Sequence, residues 1–154
     1  MKGSRLQHPP MPARQMGEHM ITWDSSLSLG VEEIDEQHRA IFKLVNELSE
    51  KKGAGDAAAA TEILCFLRKY LNEHFDLETK LMIEMDYPDL EAHRQQHELF
   101  INNVIFFEIE KEFGVVSEEM LGNILEFLED WCTKHILKED KAFGDFIRAQ
   151  AMLA

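Results

Sequence analysis

Cysteine is scarce in this chain: Cys65 and Cys132 stand too far apart in sequence to read as a zinc knuckle or a redox pair. Both fall in helical patterns, and the simplest expectation is two buried free thiols in a reducing compartment, hence a cytoplasmic protein. Proline is equally rare, and three of the four prolines lie within the first 19 residues. No uninterrupted apolar run approaches the roughly 18 residues needed to span a bilayer, so membrane insertion is not expected. The opening stretch MKGSRLQHPPMPARQMGEH also lacks the apolar core of a signal peptide. Positive charge is in short supply, with 16 Lys and Arg against 29 Asp and Glu and a formal charge of −13. That balance disfavours nucleic acid and anionic membrane as partners, while tolerating a cationic centre buried inside. Nucleotide-binding loops, internal repeats and strand alternation are all missing.

What is present is a chain of 154 residues, 45% hydrophobic, enough for one domain with a sizeable core. Residues 1–19 show no apolar periodicity and read as a disordered arm whose His8 and His19 bind nothing. Met1, Met11, Met16 and Met20 offer alternative starts. Residues 20–154 are expected to form the folded domain. In MITWDSSLSLGVEEI, the apolar positions Ile21, Trp23, Leu27, Leu29, Val31 and Ile34 suit an extended lid laid along a core, with Asp35 capping the next helix.

Four amphipathic helices follow. Helix A, from about Glu36 to Glu50, presents His38, Ile41, Phe42, Val45 and Leu48 at three-four spacing. Residues 51–55 end it and Asp56 caps helix B, which runs to about Met85 and carries His74 and Glu78 on a face otherwise made of Ile63, Phe66, Leu67, Tyr70, Leu71, Leu81, Met82 and Met85. Tyr87–Pro88 stops it. Asp89 caps helix C, which shows His93, His97, Phe100, Val104 and Phe107, and Phe113–Gly114 closes it. Ser117 and two acids open helix D, with Leu121, Ile124, Leu125, Leu128, Trp131 and His135 in line. A short amphipathic helix with Phe143, Phe146 and Ile147 packs back over the end. The expected fold is all-α, an up-down-up-down antiparallel four-helix bundle.

The histidines give this bundle a test. At 1.5 Å rise per residue, Glu78 and His97 fall level, roughly 12 Å from the shared B–C end, with His74 one turn deeper. Counts from the far end bring His74, His93 and His135 into the same layer, and His38 joins it near the start of helix A at the B–C end. Buried imidazoles and carboxylates must be paired or must hold a metal. His135 and Asp140 are five apart, about 140° around a straight helix, so a wide π-type turn is expected between them. Alone, Asp140 would read as an exposed acid beside Lys138 and Lys141.

Five imidazoles and two carboxylates exceed what one metal can use. Two octahedral metals offer about twelve positions; two bridging carboxylates and a solvent-derived bridge fill six, and five histidines fill five. One position stays open for a small diatomic ligand. Nitrogen and oxygen donors in that geometry suit iron or manganese, and iron is the redox-active choice.

The ordered set Gly30–Val31, Ile34–Asp35–Glu36–Gln37–His38, His74–Phe75 with Glu78 and Met82, Tyr87–Pro88, His93-x-x-x-His97 with Phe100, and Trp131 with His135–Ile136 and Asp140–Lys141 resembles the hemerythrin family, in particular its bacterial single-domain members. Thr79 stands where relatives often carry a second acid. The resemblance implies two iron ions with a bridging oxo or hydroxo group. His93, His97 and His135 would hold the saturated iron, His38 and His74 the iron with the vacancy, and Glu78 and Asp140 would bridge. It implies reversible dioxygen binding for storage, transport or delivery rather than enzymatic turnover, by a monomer whose protein recipient is unknown. Phe75, Met82, Trp131 and Ile136 adjoin the ligands in sequence and are the expected walls of an oxygen pocket. Rival readings are an oxygen, redox or nitric-oxide sensor, a di-iron oxidase, and a metal-free interaction bundle. A sensor usually needs an output module, and the chain has little beyond the 19-residue arm. The oxidase would call for Glu-x-x-His ligand motifs, which are absent at the ligand positions.

Overall fold

The computed structural model describes residues 21–50, 57–114 and 116–154. The expected arm, the helix terminator at 51–55 and the Asp56 cap lie outside the described residues. The elements are α1 (Glu32–Glu50), α2 (Ala57–Tyr70), a π segment (Leu71–Phe75), α3 (Asp76–Glu84), α4 (Leu90–Phe113), α5 (Glu118–Trp131), a second π segment (Cys132–Asp140) and α6 (Lys141–Leu153). They make a four-helix bundle in which α1 packs on α5, α2 on α4 and α3 on α4. No described helix is long and apolar enough to cross a membrane.

The apolar stripes close on two cores, one on either side of the buried polar layer. The larger gathers Ile41, Phe42 and Val45 of α1, Leu64 and Leu67 of α2, Phe100 and Val104 of α4, and Ile124 and Leu128 of α5. The smaller holds Leu29, Ile34, Met82, Tyr87 and Phe143 at the end where α3 turns into α4. Removing this much apolar surface from water is the main term stabilising the bundle.

Several local expectations are corrected. The first helix begins at Glu32, so Asp35 is no cap: it is 2% exposed inside α1. Its carboxylate accepts the Leu29 N–H at 2.9 Å and the Ser28 hydroxyl, tying the preceding strap to the helix. Asp89 occupies the cap position of α4 without a side-chain hydrogen bond, whereas the Ser117 hydroxyl does accept the Met120 N–H at 3.2 Å. Cys65 is exposed and only Cys132 is buried, because position 65 lies about 100° around α2 from the buried Leu64. The C-terminal helix is continuous with the second π segment, and its Phe143, Phe146 and Ile147 pack on the smaller core as expected.

The strap from Ile21 to Val31 lies over the bundle as a lid. Asn46 clamps Ile21 by its amide, accepting from the backbone N–H at 3.0 Å and donating to the carbonyl at 2.9 Å. Trp23 packs edge-on against Phe42 with Arg39 over its ring, and Leu27 and Leu29 are buried. Gly144 gives α6 its close approach, since a Cβ there would sit 3.2 Å from the Leu29 Cα. Asp35→Ala leaves the buried Leu29 N–H unpaired, and we expect a stability loss of about 2–3 kcal/mol. Urea denaturation with an unchanged m-value checks this, and Asp35→Asn should recover part of the loss.

Candidate metal centre

Seven polar side chains, each no more than 4% exposed, meet between the cores: His38 from α1, His74 from the first π segment, Glu78 from α3, His93 and His97 from α4, and His135 and Asp140 from the second π segment. All seven positions singled out in the sequence are therefore brought to one place. The backbone that delivers them departs from ideal geometry where burial spacing demands it. In α4 the buried positions 93, 97, 100, 104 and 107 alternate steps of four and three, which a regular helix keeps on one face. From Tyr70 the buried positions are 70, 74, 75, 78 and 82, and the line 70–74–78–82 takes three successive steps of four. On an ideal helix each such step drifts about 40°, and the wide turn at Leu71–Phe75 absorbs that drift. The step of five from His135 to Asp140 is taken up in the same way by the π segment over Cys132–Asp140. The second irregular turn matches expectation; the first was not anticipated.

Every imidazole offers Nε2 to the centre. Glu78 Oε1 lies 3.0 Å from His74 and 3.5 Å from His38, and Asp140 Oδ2 lies 3.0 Å from His38. The other oxygens face the other way. Glu78 Oε2 is 3.1 Å from His97 and 3.4 Å from His93, while Asp140 Oδ1 is 3.0 Å from both His93 and His135. Each carboxylate thus gives one oxygen to each of two groups. One group comprises Glu78, His93, His97, His135 and Asp140, and the other His38, His74, Glu78 and Asp140; the donor atoms of each lie within 4.8 Å of one another. Close as they are, both oxygens of Glu78 and Asp140 and the Nε2 atoms of His93, His97 and His135 lack hydrogen-bond geometry toward any partner. They aim between their neighbours rather than at them. That is the arrangement of donors around a cation, and the nitrogen and carboxylate set fits a pair of metals sharing two carboxylates.

The family profile "Hemerythrin HHE cation binding domain" matches residues 29–147, most of the chain and all seven of these positions. The chain belongs to the hemerythrin family. It is 31% identical over 130 residues to a bacteriohemerythrin of Stenotrophomonas maltophilia (strain R551-3), covering 84% of this chain and 83% of that protein. A bacteriohemerythrin of Clostridium acetobutylicum is 28% identical over 130 residues, covering 82% of this chain and 100% of that protein. A hemerythrin-like protein of Naegleria gruberi is 27% identical over 123 residues, covering 80% and 90%.

Around this hemerythrin centre stand residues that the sequence reading did not assign. Gln37 Oε1 lies 2.8 Å from His74 Nδ1, and Gln96 Oε1 lies 2.6 Å from His135 Nδ1. An amide oxygen can only accept there, so each ring donates from Nδ1, which turns its Nε2 toward the centre. The available signal was position. Each glutamine immediately precedes a ligand histidine, His38 or His97, and one residue of helical rotation turns it toward a histidine of another element.

The residues expected as pocket walls divide between the two donor groups and the two cores. Phe75 stacks on His97 at 3.8 Å and Trp131 on His135 at 3.8 Å, so both sit mainly on the five-donor group. Ile136 joins them in the larger core, but Met82 lies in the smaller one, so the four do not form a single wall. The rings that pack on the four-donor group are Tyr70, parallel to His74 at 4.5 Å, Phe75, tilted 5.8 Å from the same imidazole, and Trp23, tilted 6.3 Å from His38. Tyr70 had been assigned only to the core.

Electrostatics couple these side chains to protons. Burial alone would lower the pKa of His38 and of His93, but Asp140 and Glu78 outweigh it and push each up to about 9. His97 is lowered, chiefly by burial. Burial opposes the ionised forms of Glu78 and Asp140, yet neighbouring imidazoles, His74 foremost for Glu78 and His135 for Asp140, hold both well below the usual carboxylate range. The raised imidazoles stabilise the iron-stripped fold fully below their ordinary 6.5, and that contribution is lost as pH rises through 9. The depressed acids stabilise it above their ordinary 3.8 and 4.5, and that contribution is lost as pH falls. Chelator-treated protein should therefore melt lower at pH 9 than at pH 6. Metal competes with the same protons, so its affinity should rise across that window, measurable by titration at the two pH values.

Proposed function

We propose that this chain binds dioxygen reversibly at two iron ions, as a store, carrier or delivery protein rather than an enzyme. The observation that carries the reading is the unequal pair of donor groups sharing both carboxylates, five donors against four. His93, His97 and His135 would hold one ion and His38 and His74 the other, with Glu78 and Asp140 across both. When bound, the ferrous pair supplies one electron from each ion to dioxygen and recovers them on release. The chain's own residues keep that exchange simple. Gln37 and Gln96 fix the ring tautomers, and the stacked faces of Phe75 and Trp131, with Ile136, exclude water from the imidazoles. The seven ligands leave no Glu-x-x-His pair of the kind used in oxygen-activating bundles. The relatives named bacteriohemerythrin support the same reading.

Iron analysis and a visible spectrum taken under nitrogen, then air, then nitrogen again test it. Two irons per chain and a colour that appears and fades with oxygen are expected, and His74→Ala should lose the visible band of the oxygenated protein. Irreversible bleaching with release of peroxide would mark an oxidase instead, and iron-free protein from iron-rich medium would end the reading.

A further inference from the structure

Tyr70 is the one hydroxyl-bearing side chain among the described residues that is buried beside the four-donor group and has no hydrogen-bond partner. It precedes His74 by four residues, and the first π segment stacks the phenol ring on that imidazole at 4.5 Å with only 15° between planes. Phe75 and Phe100 hold the ring from its other sides, at 5.8 and 6.2 Å. The phenol oxygen is buried, and its ring lies face to face with a ligand imidazole of the four-donor group. The indole N–H of Trp131 approaches the same oxygen without completing a hydrogen bond, and it too has no partner.

An orphaned phenol in a close-packed interior costs free energy, so a partner that arrives with a ligand accounts for its presence. Trp131 has only a donor to offer and faces the phenol oxygen, which leaves the phenol proton as what Tyr70 can give. We propose that Tyr70 donates a hydrogen bond from Oη to the small anionic or polarised ligand at the His38–His74 group, dioxygen included, with the Trp131 N–H behind it. The phenol then sets how long the ligand is held. This rests on the iron-bound reading of the site, and it assigns a donor where the ligands' sequence neighbours offer none.

Tyr70→Phe removes the oxygen and keeps the ring. Three measurements on iron-loaded parent and variant, with azide as probe, test the proposal. Iron per chain should be unchanged. Azide should bind on the order of tenfold more weakly, the loss of one hydrogen bond to a charged acceptor, and oxygen should leave faster by a similar factor. The azide stretching band of the parent should shift between water and deuterium oxide, and the shift should vanish in the variant. Iron-stripped Tyr70→Phe should melt at or above the parent, because it has lost an orphaned hydroxyl. A purely structural role would move stability and ligand affinity in the same direction. Equal azide affinity with iron retained, or a parent band insensitive to deuterium, overturns the proposal. If Tyr70→Phe failed to load iron, the deuterium test on the parent and the affinity of Trp131→Phe, expected to be weakened less than tenfold, would still decide it. A parent without iron would overturn the functional reading itself, a different outcome from either.

Discussion

Glu78→Ala should empty both metal positions at once, taking iron from two per chain toward zero and abolishing oxygen-dependent colour. The reason is the division of its carboxylate: Oε1 faces His74 and His38 while Oε2 faces His97 and His93. The five-donor group falls to four and the four-donor group to three. The anionic group that balances the cations against burial is lost with them. His97→Ala, by contrast, removes a donor from the five-donor group alone. Glu78→Gln keeps the shape but replaces one oxygen by an amide that cannot ligate, so it should retain less iron than His97→Ala. Elemental analysis of the three variants after identical reconstitution orders them. Full iron content in Glu78→Ala would remove the carboxylate from the assignment.

Removing iron from the parent should lower the thermal midpoint by on the order of 20 °C, taking roughly 2–4 °C per kcal/mol for a chain of this size. Metal held by side chains from four separate regions of the chain links them only in the folded state, so its binding free energy becomes folding free energy. Stripping it leaves the buried carboxylates and imidazoles only one another, without hydrogen-bond geometry, so their ion pairing offsets only part of the desolvation cost. Helix content at room temperature should largely persist, because the two apolar cores do not depend on the metal. Circular dichroism melts with and without chelator measure both quantities, and equal midpoints would contradict the shared centre.

The meeting of the seven polar groups was legible because periodicity fixes faces and rise per residue fixes heights, and both are properties of regular helices. The wide turn before Asp140 was legible for the opposite reason: a step of five cannot be regular. The turn at Leu71–Phe75 escaped notice because any one step of four is ordinary, and only three in succession betray it. Asp35 was misread because the same residue type serves at a cap and as a buried acceptor for a passing strap. Gln37, Gln96 and Tyr70 were missed because their partners are in other elements or belong to a bound ligand, and neither is written in local spacing.

The wide turn between His135 and Asp140 changes how chain length matters at this centre. In a π turn the fifth residue stands where the fourth would stand in an α-helix. Deleting a residue between the two, Lys138 for instance, can be absorbed by tightening that turn, and both side chains still point inward. The same deletion between His93 and His97 of α4 has no slack to draw on and swings one imidazole about 100° away. A one-residue deletion should thus be tolerated at one end of the ligand set and not at the other. A variant of this chain with a four-residue step from His135 to the acid could still build the same nest.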